Sequence, residues 1–233
     1  MGALGRILAL RAASHFWPAC VMDIHVDDAR SSDLAAAFDA IADAIVETGW
    51  AVTPGFLSAD EAAALLAEGH ALRDAFHQAG IGRGGEHQVR TAIRGDAVLW
   101  LDEATTVPAQ RVYLDRMAAL QQHLNRALYL GLFAYETHFA VYPPGAFYAR
   151  HLDAFHDHRG RTLSCVLYLN PDWTDADGGH LRLYLDGSEP EPFVDVRPEA
   201  GTLVTFLSER FEHEVRPATR ERASVTGWFS VRT

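Results

Sequence analysis

His151 and Asp153 stand two residues apart at the end of the stretch Ala140-Val-Tyr-Pro-Pro-Gly-Ala-Phe-Tyr-Ala-Arg-His-Leu-Asp153. The stretch reads as an extended segment, a Pro-Pro-Gly turn and a second extended segment, and side chains two apart on a strand share a face. An imidazole and a carboxylate so placed make two-thirds of a 2-His-1-carboxylate site, which binds Fe(II) and leaves coordination positions open. A further imidazole is available in Phe211-Glu-His213. In a chain with 12 His, a His-x-Asp tripeptide is expected by chance about once, so the tripeptide alone decides nothing. The weight rests on its agreement with the second segment.

Pro217-Ala218 marks a turn with β-rich residues on both sides. A hairpin symmetric about that bond sets Arg222 opposite His213. On the strand that follows, Arg222, Ser224, Thr226 and Trp228 share one face, while Ala223, Val225, Phe229 and Val231 share the other. A guanidinium, two hydroxyls and an indole beside a metal wall a pocket for an anion, because Arg grips a carboxylate with two parallel hydrogen bonds. His156 and His158, in the charged run Phe155-His-Asp-His-Arg159, are rival ligands and read as solvated.

Further pieces extend the pattern over roughly residues 90 to 230: Ile93-Arg-Gly-Asp96 followed by Trp100, Tyr142-Pro143, Tyr168-Leu-Asn-Pro-Asp-Trp173, Gly178-Gly179, His213-Glu-Val and Arg222 through Trp228-Phe229. On these pieces the chain resembles the 2-oxoglutarate- and Fe(II)-dependent dioxygenases, and within them the prolyl 4-hydroxylase group that includes the hypoxia-inducible-factor prolyl hydroxylases and bacterial relatives. The resemblance implies Fe(II) held by His151, Asp153 and His213, with 2-oxoglutarate and O2 as co-substrates and ascorbate as a candidate further cofactor. It implies that Arg222 grips the distal carboxylate of 2-oxoglutarate with help from Tyr168. Tyr142 falls near metal and substrate, and Thr226 at a hydroxyl position approaching the metal-bound water. Arg161, Trp228 and Trp100 fall at substrate-contacting positions, with Asp96 pairing with Arg161. The implied activity is hydroxylation of a prolyl residue in a partner protein, of the procollagen-proline or peptidyl-proline 4-dioxygenase type, releasing succinate and CO2. In bacterial relatives the suggested substrate is a loop of a translation factor. Hydroxylation of a free amino acid or another small molecule uses the same metal site and stands as the alternative. A non-catalytic, cupin-like binder has no use for Arg222 and Tyr168, and a zinc hydrolase needs a separately placed general base that the sequence does not display.

Composition narrows the classes. The net charge of −11 argues against a nucleic-acid partner, which wants a basic surface. All 20 Lys+Arg residues are Arg, which excludes Schiff-base and P-loop chemistry and makes any anion site an arginine site. Two cysteines, Cys20 and Cys165, give no disulfide framework and favour a reducing, cytoplasmic setting. No run approaches the ~18 apolar residues of a membrane span, so no membrane partner is expected.

The elements that must position these residues follow from periodicity. Ser32–Thr48 reads as a helix with Leu34, Phe38, Ile41 and Ile45 on one stripe, ended by Gly49. Trp50–Thr53 reads as a strand, and Ser58-Ala-Asp-Glu61 as a capping box opening a helix to about Gln78. The glycine-rich Gly80–Gly85 and the polar run to Asp96 read as a mobile cover for an incoming peptide. A third helix covers about Ala109–Leu130, with Met117, Leu120, Leu124 and Leu128 buried. From His138 the period becomes two, and eight strands are expected at about 137–143, 147–153, 161–170, 180–185, 192–197, 201–207, 211–216 and 222–231. Eight antiparallel strands fit a double-stranded β-helix, the jelly-roll type, backed by helices in an α+β arrangement. The expected organisation is a disordered leader over residues 1–21 and one domain over 22–233, with the barrel core at about 137–231.

Overall fold

Alternation along the C-terminal half produces strands with two unlike faces, and the N-terminal helices cover one of them. The computed structural model describes residues 25–79, 93–102, 106–153, 160–185 and 191–232, with side chains from residue 32. The expected leader, the Gly80–Gly85 loop, most of the segment after it, His156 and His158 lie outside the described residues. In chain order the elements are α1 (His25–Glu47), β1 (Trp50–Thr53), α2 (Ala59–Ala71), β2 (His77–Gln78), β3 (Ala97–Trp100), α3 (Pro108–Leu128), β4 (Leu132–Tyr142), β5 (Tyr148–His151), β6 (Arg161–Tyr168), β7 (Leu181–Tyr184), β8 (Phe193–Val196), β9 (Leu203–Leu207), β10 (His213–Val215) and β11 (Arg222–Val231). Each of the eight strands expected from alternation forms. No helix among the described residues is long and apolar enough to cross a membrane.

Two antiparallel sheets result, one of seven strands in the order β1-β9-β6-β11-β4-β3-β2 and one of four in the order β5-β10-β7-β8. The odd-numbered positions of β6 (Leu163, Cys165, Leu167) join Phe139, Val225 and Phe229 in a core shared with Ile41, Leu65, Met117 and Leu120 of the helices. The even-numbered positions Val166 and Tyr168 join Ala140, Tyr142 and Phe206 against Leu181, Leu183 and Val215 of the smaller sheet. The barrel interior is therefore the space between the sheets, and the helices lie outside it.

The helices are fastened at their ends. Ser58 and Glu61 form a reciprocal capping box at the start of α2. The Glu68 carboxylate accepts from the backbone N–H groups of Ala109 and Gln110 at 3.0 and 3.1 Å, capping α3 from a neighbouring helix, where a negative charge is favourable. α2 stops at Ala71, short of the expected Gln78. A 3-10 turn at Arg73–Ala75 follows, and Phe76 becomes extended, 6.2 Å from the Phe139 ring, which delivers His77 and Gln78 to pair with β3.

The expected hairpin about Pro217-Ala218 does not form. β10 pairs with β5 and β7, whereas β11 pairs with β4 and β6, so His213 lies opposite His151 and Arg222 opposite Tyr142. The intervening chain crosses from one sheet to the other. Its backbone groups are satisfied elsewhere: Gly179 N donates to Pro217 O at 2.9 Å, Gly145 N to Ala218 O at 2.8 Å, and Thr219 N to Asp177 O at 2.8 Å. Those bonds replace the cross-strand ladder a hairpin would need.

Candidate metal centre and anion site

β5 and β10 run side by side, and their register sets His151 against His213. Asp153 follows two residues after His151, and the three side chains bring one ligand atom each within 4.8 Å of one another. His151 Nε2 lies 3.7 Å from Asp153 Oδ1, and His213 Nε2 lies 3.6 Å from Asp153 Oδ2. Each imidazole is locked from behind: His151 Nδ1 is 2.8 Å from Ala149 O, and His213 Nδ1 is 3.2 Å from Phe211 O. A carbonyl only accepts, so each Nδ1 carries the proton and each Nε2 offers its lone pair to the cluster. Tyr148 stacks on His151 at 3.6 Å, and Phe206 meets His213 edge-on at 4.8 Å.

Burial by itself would raise the Asp153 carboxyl, but the neighbouring His213 and His151 imidazoles and the Ser164 hydroxyl hold it well below the usual carboxylate range. Burial, with His151 beside it, lowers His213 to about 4, against the pull of Asp153. Both are thus in the protonation state a metal ligand needs at neutral pH. Ser164 Oγ donates to Asp153 Oδ2 at 2.6 Å and is itself 2.9 Å from Ser208 Oγ. Ser164 stands on the polar face of β6 in step with Tyr168, a signal already present in the alternation.

Deeper in the barrel, Arg222 is 1% exposed. Its Nε donates to Gly179 O at 2.8 Å, while Nη2 has no hydrogen-bond partner and no carboxylate pairs with it among the described residues. The guanidinium lies 5.2 Å from the Tyr142 ring centroid and 5.1 Å from that of Tyr168. Burial raises the Tyr168 phenol to about 12 against the pull of Arg222, so the hydroxyl stays a donor, and it too lacks a partner. Asn170 fixes the start of β11 by accepting from Ala223 N at 2.7 Å and donating to Ala223 O at 3.0 Å. Gly179 has a φ of +70°, and a Cβ there would meet Arg222 Cδ at 3.3 Å, so the Gly178-Gly179 piece is what lets the guanidinium seat.

Toward the other end of the same face stand Thr226, opposite Val166 and His138, and Trp228, opposite Ser164 and Glu136. Arg161 lies 3.7 Å over the Trp228 ring and pairs with Glu136 at 2.6 Å. The expected Asp96–Arg161 pair is corrected here. Arg161 and Glu136 come from the two strands flanking β11 and meet across Trp228. Asp96 is fully buried and already engaged by Arg94 in two bonds of 2.6 and 2.8 Å. Arg94 in turn lies 4.7 Å over the Tyr148 ring that stacks on His151, so Asp96 supports the metal cluster from behind. Their separation of two residues in Arg94-Gly-Asp96 was the available local signal. Trp100 remains 47% exposed, 6.4 Å from Trp228.

The comparisons with known proteins agree with this geometry. Residues 137–230 match the 2OG-Fe(II) oxygenase superfamily. A Pseudomonas putida prolyl-4-hydroxylase structure is 43% identical, with a TM-score of 0.76, over 83% of this chain and 98% of that one. The chain belongs to the 2OG-Fe(II) oxygenase superfamily. Human Egl nine homolog 1 is 33% identical over 143 residues, covering 59% of this chain. The chain spans 33% of that relative's length. A Trichoplax adhaerens prolyl hydroxylase, solved with a hypoxia-inducible-factor peptide fragment, shares the fold at 24% identity with a TM-score of 0.74.

Superfamily members use Fe(II) with 2-oxoglutarate and O2. The residues present fit that set. Two imidazoles with Nε2 turned to the cluster and a carboxylate suit Fe(II). A buried guanidinium without a carboxylate is costly unless an anion meets it, and the unpartnered Arg222 Nη2 and Tyr168 hydroxyl are donors of the kind a distal carboxylate takes.

Proposed function

We propose that this protein is an Fe(II)- and 2-oxoglutarate-dependent dioxygenase that hydroxylates a prolyl residue of a partner protein in the cytoplasm. The observation that carries the reading is the combination of the His151–Asp153–His213 cluster with a buried, unpaired Arg222 in one barrel interior. The first supplies a metal site, and the second a fixed cation that a structural role would not leave without a counter-charge. Likeness to prolyl hydroxylases, including one 43% identical in sequence, supports the prolyl substrate. The solved complex of a relative with a peptide supports a protein as its bearer. The suggested loop of a translation factor belongs to this proposal.

In the overall reaction, one oxygen atom of O2 enters the new carboxylate of succinate as CO2 leaves, and the other enters a C–H bond of the substrate. O2 is the oxidant for both halves, and Fe(II), when bound, would activate it. The chain's own part is placement. His151, Asp153 and His213 would hold the metal, with Ser164 steadying the carboxylate. Arg222 and Tyr168 orient 2-oxoglutarate by its far end. Trp100, Trp228 and the Arg161–Glu136 pair stand together toward the other end of the same face. Thr226 and Tyr142 line the same interior face.

The test is succinate release by the Fe(II)-loaded protein against a library of blocked proline-containing peptides and against a cell lysate, with mass spectrometry for products heavier by one oxygen atom. Hydroxylated prolyl peptides are expected. Turnover of free amino acids alone, with every peptide untouched, would overturn the protein-substrate reading.

A further inference from the structure

His138, a residue the sequence reading left without a role, stands on β4 between Ala140 and Glu136, facing the barrel interior with Ala140 and Tyr142. Its register partners are Trp100 on one side and Thr226 on the other. The ring centroid lies 4.8 Å from Trp100 and 5.5 Å from Trp228. The residue is 2% exposed, yet neither Nδ1 nor Nε2 has a hydrogen-bond partner among the described residues. The Trp228 Nε1 beside it is likewise buried and unpartnered. Buried polar atoms in native proteins are normally paired, and each exception asks for a reason.

These orphan groups form a set distinct from the deep one. Arg222 and Tyr168 offer donors alone, backed by a full charge. His138 is neutral: burial, with Arg94 and Arg161 nearby, lowers its pKa to about 3. A neutral imidazole offers one donor and one acceptor, and the indole offers one donor. The two neighbouring arginines are already matched, Arg94 by Asp96 and Arg161 by Glu136. His138 and Trp228 together therefore call for an uncharged partner that both accepts and donates. A secondary peptide group has that character, with its C=O and N–H. The target proline itself carries no N–H, so the donating amide must belong to a neighbouring residue of the substrate chain.

Resting on the proposed peptidyl-prolyl activity, we infer that His138 is a substrate-binding residue whose imidazole pairs with a backbone peptide group flanking the target proline, between the indoles of Trp100 and Trp228. It reads backbone, so it fixes the substrate's register without demanding a particular flanking side chain. The mode is hydrogen bonding alone and transfers no proton.

The experiment uses the full-length Fe(II)-loaded protein and the blocked prolyl peptide best turned over by the wild type in the library screen. His138→Phe keeps an aromatic ring between the indoles and removes both hydrogen-bonding atoms. It should raise KM for that peptide about tenfold or more, the effect of leaving a buried amide unpaired. His138→Gln, which keeps a donor and an acceptor, should recover most of the loss. The decisive readout is a set of the same peptide N-methylated at each flanking amide in turn. One position should cost the wild type about tenfold and cost His138→Phe nothing further, because the two changes remove the same bond. Wild-type and His138→Phe proteins that lose equally at every N-methyl position would overturn the assignment. So would an affinity for 2-oxoglutarate that falls as far as the peptide affinity, which would place His138 on the co-substrate. A wild type that turns over no prolyl peptide would instead overturn the proposed function, and this assignment with it.

Discussion

In the seven-stranded sheet both faces are covered. Leu163, Cys165 and Leu167 of β6 meet the helices, while Val166 and Tyr168 meet the interior. In the four-stranded sheet one face is covered. Leu181, Leu183 and Val215 point inward, and the outer face carries Arg182 bonded to Asp195 at 2.7 Å, with Arg150 stacked 3.8 Å over Tyr184. His151 and His213 belong to the smaller sheet and Arg222 to the larger. The difference teaches a division of labour: the sheet braced by helices holds the charge that is costly to bury, and the lighter sheet holds the two histidines of the candidate metal centre. Asp153 joins the two, since Ser164 of the larger sheet donates to it.

The largest expected effect falls on the smaller sheet. Asp153→Ala should abolish Fe(II)-dependent turnover of 2-oxoglutarate, well beyond the ~10–100-fold loss typical of removing a supporting hydrogen bond. Succinate release and Fe(II) titration by calorimetry check this, and full activity would take the smaller sheet out of the chemistry. Leu167→Ala in the larger sheet should cost about 2–5 kcal/mol in denaturant unfolding, as for a fully buried leucine that leaves a cavity. A loss under ~1 kcal/mol would remove the claim that helix packing braces this sheet.

Arg222→Met should raise KM for 2-oxoglutarate about a hundredfold, two charge-assisted bonds being lost. The metal-free protein should keep its melting temperature, because the substitution also removes an unpaired buried cation. Arg222→Lys should not restore binding, lacking the forked geometry. Ser164→Ala, which cuts the link between sheets, should weaken Fe(II) binding about tenfold and leave the peptide KM little changed. Arg182→Ala on the outer face should shift stability by no more than about 1 kcal/mol despite its two short bonds, as exposed pairs usually do. A larger loss would mean the outer face does more than keep the smaller sheet in solution.

What the sequence revealed and what it hid divide by range. Strand alternation is local, so the face shared by Arg222, Ser224, Thr226 and Trp228 and the face shared by Ser164 and Tyr168 could be read directly. Pairing is not local. Pro217-Ala218 looks the same whether the chain folds back or crosses between sheets, and what decides it is distant in sequence: Gly179 and Gly145 donate to the crossing segment, and Thr219 donates to Asp177. The Asp96–Arg161 expectation failed for a related reason: a carboxylate is claimed by the nearest suitable cation, and Arg94 was two residues away. His138 gave no signal, since an isolated histidine in a strand looks like any other until its neighbours are known. β3 was also missed: its four residues, Ala97-Val-Leu-Trp100, are apolar throughout and show no alternation to read.

The crossing segment between β10 and β11 has a consequence for choice of co-substrate. Residues 216–221 are pinned to the Gly178-Gly179 loop and to Gly145, with Arg220 donating to the carbonyls of Pro171 and Asp172 at 3.0 and 2.9 Å. One short, fastened tether thus joins His213, the proposed metal ligand, to Arg222, the proposed carboxylate grip, and resists sliding of one sheet past the other. On the proposed function, the barrel would act as a caliper for dicarboxylic keto acids. An acid one methylene shorter or longer than 2-oxoglutarate is expected to bind more weakly, by about 1–3 kcal/mol per methylene.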